Sequence, residues 1–301
     1  SNSFSLKTSL LIFQFIIAQV LILSTIVISL QLNYVKTKEL GFKKDSIVTV
    51  DLPDVDIRQK KLFKEKLQQS SLIKNIALSG GAPVSEMSID TYYNKIPNET
   101  DDRFPVKLKP IDENYLDTFG IKLIAGRNFK KAIEGDTLYK FIANEEALRK
   151  IGISDFSQAV GQTIQFSRVK AKIIGVVKDY HTNSLESEIG PVLMSNMFEK
   201  FYAETQIKVN YASGNRIIND IQSIWNEVFP GYSFKYNYFD DYLDNLYEIE
   251  EKFFNTVRLF SIIAIMIGCL GLIGLISFVT AQKTKEIGIR KILGASVANI
   301  V

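Results

Sequence analysis

Few residues in this sequence of 301 have the chemistry of a catalytic group. The single histidine, His181, closely follows Asp179 in the run VVKDYHTNSL. A lone imidazole with no second ligand or nucleophile beside it is more often a structural hydrogen-bonding group than a base or metal ligand. Two Ser-x-x-Lys patterns, at residues 71–74 and 167–170, match one motif of the β-lactamases, but the accompanying motifs of those enzymes are absent. We therefore expect this chain not to be an enzyme.

Nucleotide-binding and metal-binding patterns are also missing from the sequence. No Gly-x-x-x-x-Gly-Lys-Ser/Thr loop occurs, so the chain does not bind ATP by that route. The neighbouring carboxylates Glu145 and Glu146 follow Asn144, a favourable helix N-cap, and acidic residues stabilise the first turn of a helix. We interpret this pair as structural and predict that the chain binds no cofactor or metal itself.

The composition excludes a nucleic-acid binder and indicates a membrane protein. The formal net charge is only +3, and two segments concentrate much of the 46% hydrophobic content. The one cysteine, Cys269, lies inside the second of these segments, so the region between them has no disulfide. Because the chain starts without Met and ends inside a patterned segment, we expect it to be a fragment of a longer protein.

Two apolar segments are long enough to cross a bilayer. Residues 259–279, LFSIIAIMIGCLGLIGLISFV, contain no acidic or basic side chain, and residues 10–32 form the other segment. About 20 apolar residues in a helix cover a hydrocarbon core of roughly 30 Å. We predict a first transmembrane helix at residues 1–35, an extracytoplasmic domain at 36–250, a second transmembrane helix at 251–281 and a cytoplasmic segment at 282–301. A cleaved signal peptide is the alternative for the first segment, but its apolar run is too long and no small-residue cleavage pattern follows.

Charged flanks predict the orientation of the two spans. The second span has acidic residues before it and Lys283, Lys285, Arg290 and Lys291 after it, which places its C-terminal end in the cytoplasm. The first span taken alone predicts the reverse, because only Lys7 precedes it whereas several lysines follow. Since the helices must be antiparallel, we follow the second span and place the central domain outside the cytoplasmic membrane.

Polar and small residues inside the spans predict helix packing. Gln14 and Gln19 interrupt the first apolar run, and amides at that depth usually face another helix. In the second span the spacing of three and four residues places four small residues on one face, namely Ser261, Ala264, Gly268 and Gly271. Such a face permits close approach of another helix, although glycine is in any case common in membrane helices.

Between the spans, alternating strand and helix patterns predict an α+β domain. We expect strands at 46–52, 76–79, 104–111, 139–143, 163–166, 169–177, 206–210 and 233–239. We expect helices at 56–69, 113–119, 145–150, 217–229 and 240–251. The lysines of helix 56–69 are expected to face solvent, and Gly175 to mark a bulge or close approach. We also expect the first membrane helix to project as a stalk and helix 240–251 to run unbroken into the second span, a rigid connection that would transmit displacement.

Residues 282–300, QKTKEIGIRKILGASVANI, form a short basic amphipathic segment. Within it, TKEIGIRKILGAS at 284–296 closely resembles the motif that follows the first span of the FtsX-like permease domain in MacB-type ABC transporters. The similarity extends to FQF at 13–15, LGFKKD at 40–45, GRNF at 126–129 and IGVVKDYH at 174–181. The chain most resembles the second half of the tandem-duplicated members of that family.

This resemblance implies a fold and a location. The fold is an α+β periplasmic domain, built of strand–helix repeats with an inserted lobe and held between two transmembrane α-helices. The location is the bacterial cytoplasmic (inner) membrane, in a multi-pass permease whose central domain lies in the periplasm. The remaining spans of the family are missing from this chain.

The resemblance also implies a mechanism and partners. A separate cytoplasmic ABC ATPase would hydrolyse ATP, and motion would pass to the periplasmic domain for export, extraction or signalling by mechanotransmission. The residues implied to dock on the ATPase are Lys285, Glu286, Ile287, Gly288, Ile289, Arg290, Ile292, Leu293, Gly294 and Ala295. Other implied partners are further transmembrane helices of the same permease or a second copy, and a periplasmic adaptor or hydrolase, but no nucleic acid. A two-span sensor with a periplasmic ligand-binding domain is the alternative, and a membrane-anchored hydrolase is a third interpretation.

Overall fold

The computed structural model describes residues 2–85, 88–94, 103–130, 139–166, 169–183, 187–210 and 214–292. The helices are α1 (Asn2–Thr37), α2 (Ile57–Leu67), α3 (Tyr115–Phe119), α4 (Glu145–Ile151), α5 (Phe156–Ala159), α6 (Gly214–Val228), α7 (Phe239–Asn245) and α8 (Glu248–Ile292). The strands are β1 (Ile47–Asp51), β2 (Ile73–Ser79), β3 (Ile89–Asn94), β4 (Arg103–Pro110), β5 (Leu123–Gly126), β6 (Tyr139–Asn144), β7 (Thr163–Phe166), β8 (Val169–Val177), β9 (Val192–Ser195), β10 (Glu204–Val209) and β11 (Tyr236–Tyr238). The chain divides into a helical unit containing α1 and α8 and a globular unit, Glu39–Leu246.

The first sheet of the globular unit is antiparallel, with strand order β11-β1-β10-β2. Helix α2 connects β1 to β2, and α6 connects β10 to β11, so each pair of connected strands is separated by one strand of the other pair. This is the split βαβ arrangement. Alternate residues of β1, Val48 and Val50, pack with Phe63 of α2 and Trp225 of α6 in one apolar core. We call this sheet with α2 and α6 the host lobe.

An inserted lobe, residues 80–203, interrupts the host lobe between β2 and β10. Its sheet has the order β3-β4-β9-β6-β8-β5, and β7 pairs with β8 as well. The β4–β9 and β6–β8 pairs are parallel and the others antiparallel, so the sheet is mixed. One of its faces packs on α4 and α5 around Phe141 and Leu193. The expected inserted lobe is therefore present, and the predicted mixed α+β fold with an apolar helix at each end is confirmed.

A third apolar core joins the two lobes. It combines Ile47 and Ala77 of the first sheet with Ile142 and Val177 of the second, together with α3 and α7. Phe119 of α3 contacts Phe239 of α7, with ring centroids 5.3 Å apart. The globular unit thus consists of stacked helix and sheet layers with apolar side chains between them, which is the usual way for such elements to cover their apolar faces.

The loop that leaves β2 for the inserted lobe is held by buried polar groups. Lys109 is only 1% exposed, and its side-chain nitrogen donates to the carbonyls of Ala82 and Pro83 at 2.7 and 2.8 Å. The Tyr115 hydroxyl donates to the Gly81 carbonyl at 3.0 Å, and Glu204 accepts from the Ala82 amide at 3.1 Å. Burial lowers the pKa of Lys109 to about 7. A neutral amine retains two N–H donors, which is sufficient for both carbonyls.

Several sequence predictions are corrected by the structure. Helix 240–251 is not continuous with the second span: α7 ends at Asn245, Leu246 and Tyr247 form a turn, and α8 begins at Glu248. Buried Phe239 and Leu243 pack α7 into the core between the lobes, which sequence periodicity alone does not show. Helix α1 ends at Thr37, five residues beyond the apolar run that ends at residue 32.

The lysines of α2 do not all face solvent as predicted. Lys60 and Lys64 are buried, 4% and 8% exposed, because long aliphatic stems can be covered while the ammonium finds acceptors inside. The prediction for Gly175 is confirmed, since a Cβ there would lie 2.6 Å from the Arg127 carbonyl oxygen. Strands β3, β5 and β9 were missed.

We expect residues 39–246, expressed without the membrane helices, to be soluble and to unfold cooperatively. Three apolar cores lie within these residues, and the only cysteine lies outside them, so no disulfide is required. Near-UV circular dichroism and the fluorescence of Trp225, the single tryptophan, should change at the same temperature. A fragment that keeps far-UV but lacks near-UV dichroism would contradict an independently folding unit.

The pKa of Lys109 predicts a pH dependence of stability. The folded value, about 7, lies below the ordinary 10.5, so the unfolded chain binds the proton more tightly. The stability contributed by Lys109 is therefore largest above pH 10.5 and is lost as the pH falls through about 7. Relative to Lys109→Met, the wild-type unfolding free energy should rise between pH 7 and pH 10. Denaturant unfolding followed by Trp225 fluorescence measures this, and a difference that does not change with pH would refute it.

Candidate functional site

A cleft of about 350 Å³ lies where the chain passes between the host and inserted lobes. Its lining comes from the segment after β1, from α2, from the end of β4 and from the two segments by which the chain enters and leaves the inserted lobe. Those residues are Leu52, Asp54, Lys60, Gly80, Ser88, Ile89, Pro110, Lys200, Phe201, Tyr202 and Ala203. Phe201 is exposed, and the Lys200 ammonium lies 4.8 Å from the centroid of its ring. The cleft therefore has mainly apolar walls and a few charged groups.

Beside the cleft, α2 places lysines against carboxylates of the inserted lobe. The Lys64 ammonium lies 2.7 Å from Asp112 Oδ2, and Lys61 lies 2.7 Å from Glu199. Asp112 Oδ2 also accepts from the Leu78 amide at 2.7 Å. Burial raises the pKa of Asp112 to about 6, although Lys64 and the Leu78 amide act in the opposite direction. This buried ion pair fixes α2 to the inserted lobe. Replacing only one of its two residues would leave the other as an unpaired buried charge.

The residues with possible catalytic chemistry are not assembled into a site. The His181 amide donates to the Leu40 carbonyl at 3.0 Å, and Asp179 accepts from the Glu146 amide at the start of α4. Ser71 and Lys74 are exposed, and Ser167 lies outside the described residues. Asn144 caps α4 through the Ala147 amide, as predicted. Within the described ranges, no group of three metal-ligating side chains occurs.

The membrane helices contain the predicted spans and contact each other. Both are long and apolar enough to cross a bilayer, over Ile12–Val35 and Glu248–Lys285. The hydroxyls of Thr25 and Ser261 lie 2.8 Å apart, and the Ser261 hydroxyl lies 3.1 Å from the Leu21 carbonyl. The Thr25 hydroxyl donates to the Leu21 carbonyl at 2.8 Å. Ser261, a predicted packing residue, is thus buried between the helices, whereas Thr25 was not identified from the sequence.

The other predicted packing residues have mixed environments. Ala264 and Gly271 are half-buried and Gly268 is buried, but a Cβ at Gly268 would meet no atom within 4 Å, so a larger side chain would fit at this position. Gln14 is half-buried, and its Nε2 has no hydrogen-bond partner in the part of the chain that the structure describes. Gln19 is exposed. Packing of this face against a further helix stays a prediction.

The predicted ATPase-coupling segment continues the second span as helix. Helix α8 runs without interruption from Glu248 to Ile292, and Lys285, Gly288 and Ile289 are exposed on it. The helix also includes Glu286, Ile287, Arg290 and Ile292, whose side chains are not described. Leu293, Gly294 and Ala295 lie outside the described residues. The part of the segment up to Ile292 is therefore a helical extension of the span, and the binding partner of the segment stays a prediction.

Comparison with known proteins gives sequence matches to MacB proteins, including those of two bacterial species. The chain is 21% identical over 201 residues to the macrolide export ATP-binding/permease protein MacB of Bartonella quintana (strain Toulouse), covering 64% of this chain and 30% of that protein. It is 23% identical over 208 residues to MacB of Mannheimia succiniciproducens, covering 64% and 31%. The chain therefore spans about a third of the length of these relatives. No protein-family model matches it.

Solved structures that are similar at low sequence identity include a region of MacB and a domain of YknZ. The periplasmic region of MacB from Actinobacillus actinomycetemcomitans has a TM-score of 0.49 and 16% identity, covering 70% of this chain and 97% of that one. The extracellular domain of the noncanonic ABC-type transporter YknZ from Gram-positive bacteria has a TM-score of 0.44 and 13% identity, covering 64% and 97%. The sequence matches confirm the resemblance predicted from the motifs, since the chain is similar to MacB proteins over 64% of its length.

Proposed function

We propose that this chain forms part of the permease of an ABC transporter, in which a separate cytoplasmic ATPase subunit binds and hydrolyses ATP. The sequence similarity to MacB supports this proposal, as do the two apolar helices that flank the globular unit. In this proposal the chain is not an enzyme and binds no cofactor. The globular unit lies outside the cytoplasmic membrane and acts on a periplasmic substrate, adaptor or hydrolase.

The observation that carries the proposal is the length of α8. At 1.5 Å per residue, its 45 residues extend about 68 Å, more than twice the roughly 30 Å of a hydrocarbon core. The helix therefore continues well beyond the bilayer, and its last turns carry the TKEIGIRKI part of the predicted coupling motif. Ile289, Ile292 and Leu293 follow the spacing of an apolar helix face that can bind a groove in a partner.

In this proposal, a movement of the ATPase would be passed to the globular unit through the connecting residues Leu246 and Tyr247. The sequence had predicted one unbroken helix that would carry the motion as a rigid rod. The structure instead has two separate helices, α7 and α8. We propose that α8 moves with the ATPase and that the turn after α7 passes this motion on. Export, extraction and signalling by mechanotransmission all use such a displacement.

A two-span sensor remains the second candidate, because an external domain between two membrane helices is also the plan of a receptor. In a sensor, the segment after the second span would lead to an output domain and would bind no ATPase. The two proposals therefore differ in the partner of α8.

We expect site-directed labelling to place the globular unit outside and the end of α8 inside. With Cys269→Ala as background, single cysteines replace Lys235 and Lys285, both of which are exposed. In cells with a permeabilised outer membrane, an impermeant maleimide should label position 235, but label position 285 only after the inner membrane is opened. The reverse pattern would mean that the basic flank of the first span sets the topology.

We expect Ile292→Asp with Leu293→Asp to release the ATPase from the full-length permease. Burial of each apolar side chain in an interface contributes about 1.5–3 kcal/mol, whereas an exposed ion pair contributes about 0–1 kcal/mol. The double substitution should therefore abolish co-purification of the ATPase from native membranes. Glu286→Ala is the matched control and should retain it.

Mass spectrometry of the co-purified proteins identifies the ATPase, and ATP hydrolysis by the complex gives a second measurement. Equal recovery of the ATPase with the double variant would exclude this segment as the coupling element. If the wild-type chain recovers no ATPase at all, the permease proposal is wrong and the sensor is favoured.

A further inference from the structure

Helix α2 carries four lysines, and one of them differs from the rest. Three form ion pairs at 2.7 Å, which are Lys61–Glu199, Lys64–Asp112 and Lys66–Glu227. Lys60 is the most buried of the four, yet among the described residues its ammonium has only a carbonyl acceptor, that of Tyr202 at 2.7 Å. An ammonium has three N–H donors, so two of them have no acceptor within the described part of the chain.

The surroundings of Lys60 suggest where an acceptor would come from. Lys60 and Tyr202 both line the cleft between the lobes. Burial lowers the pKa of Lys60, and the charge of the Asp54 carboxylate opposes this effect. Asp54 is exposed, and it forms no ion pair with Lys60. A buried cation without a carboxylate partner is costly, so a ligand that brings a carboxylate to Lys60 would gain the interaction that the other α2 lysines already have.

The remaining walls of the cleft indicate that the rest of such a ligand, apart from its carboxylate, is apolar. The apolar walls are formed by Leu52, Ile89, Pro110 and Phe201, and the volume of about 350 Å³ lies within the range of small-molecule pockets. Lys60 and Lys200 outnumber Asp54, so the charged groups favour an anion. A carboxylate supplies both an acceptor for the remaining Lys60 donors and an opposite charge, whereas a neutral ligand supplies at most an acceptor.

We propose that the cleft between the lobes binds a small amphiphilic carboxylic acid, with its carboxylate on Lys60 and its apolar chain or ring against Phe201 and Ile89. The inference goes beyond the proposed transport function and does not depend on it, because every residue of the site lies in the globular unit and no nucleotide is involved.

The test uses the full chain in lipid nanodiscs and two soluble probes of equal shape, 4-phenylbutyrate and its neutral amide, 4-phenylbutyramide. Saturation-transfer NMR titrations give the dissociation constants, and empty nanodiscs supply the background. Hydrogen bonds to charged groups are the stronger ones, so the carboxylate should bind the wild-type chain about tenfold more tightly than the amide. Equal affinities, or a signal no larger than that of empty nanodiscs, would overturn the proposal.

Three variants separate the carboxylate contact from general packing. Lys60→Met should abolish the preference for the carboxylate, whereas Lys66→Met, which removes a lysine paired with exposed Glu227 on the same helix, should retain it. Phe201→Ala should weaken both probes by the same factor and leave their ratio unchanged. Near-UV circular dichroism checks the fold of each variant. If Lys60→Met folds and still prefers the carboxylate, Lys60 is not the anion-binding group and the proposal is wrong.

Discussion

The architecture of the globular unit depends on the pairing of β2 with β10. The chain leaves the host lobe at Ser79 and returns to it at Glu204, and these two residues are partners in the antiparallel register. Because the exit and the return are neighbours, a whole lobe can be inserted while the first sheet keeps its hydrogen bonds. At this junction the buried Lys109 and Tyr115 and the half-buried Glu204 form hydrogen bonds to carbonyls and an amide of the loop that turns away from the sheet. A buried loop requires such partners, since unpaired backbone groups are costly inside a protein.

Local sequence patterns predicted the elements better than their arrangement. Strand alternation at residues 163–166 and 169–177 gave the observed bounds, and the apolar runs located both membrane helices. The inserted lobe was expected from family resemblance and not from periodicity, because strand order depends on contacts between residues far apart in the chain. The end of α7 was missed because neither Pro nor Gly marks it, and the packing of Phe239 and Leu243 in the core depends on residues far away in the chain.

The environment of charged residues was also hard to predict, because it depends on partners that are far away in the sequence. A lysine-rich helix predicts a solvent-facing surface, and this was wrong for Lys60 and Lys64 because their partners, Tyr202 and Asp112, come from the inserted lobe. The cleft itself was not predicted, since its lining comes from segments that no local pattern connects. In the membrane helices, Ser261 belongs to the predicted small-residue face and is buried beside Thr25, a residue that carried no signal of its own. Hydrogen bonds between membrane helices average only about 0.6 kcal/mol, so this hydroxyl pair sets the register of α1 and α8 more than it holds them together.

The insertion also determines the order in which the protein can fold. Strand β10 lies between β1 and β2, so the first sheet lacks a central strand until the ribosome has completed the inserted lobe. The strands of that lobe, by contrast, all come from residues 89–195 and can pair among themselves earlier. During this interval α2 has only part of its apolar partners, because Ile207 and Trp225 are still to come. Long-range pairing of this kind is slow and exposes apolar surface, so the host lobe, which is formed from both ends of the domain, is the part most in need of protection during synthesis.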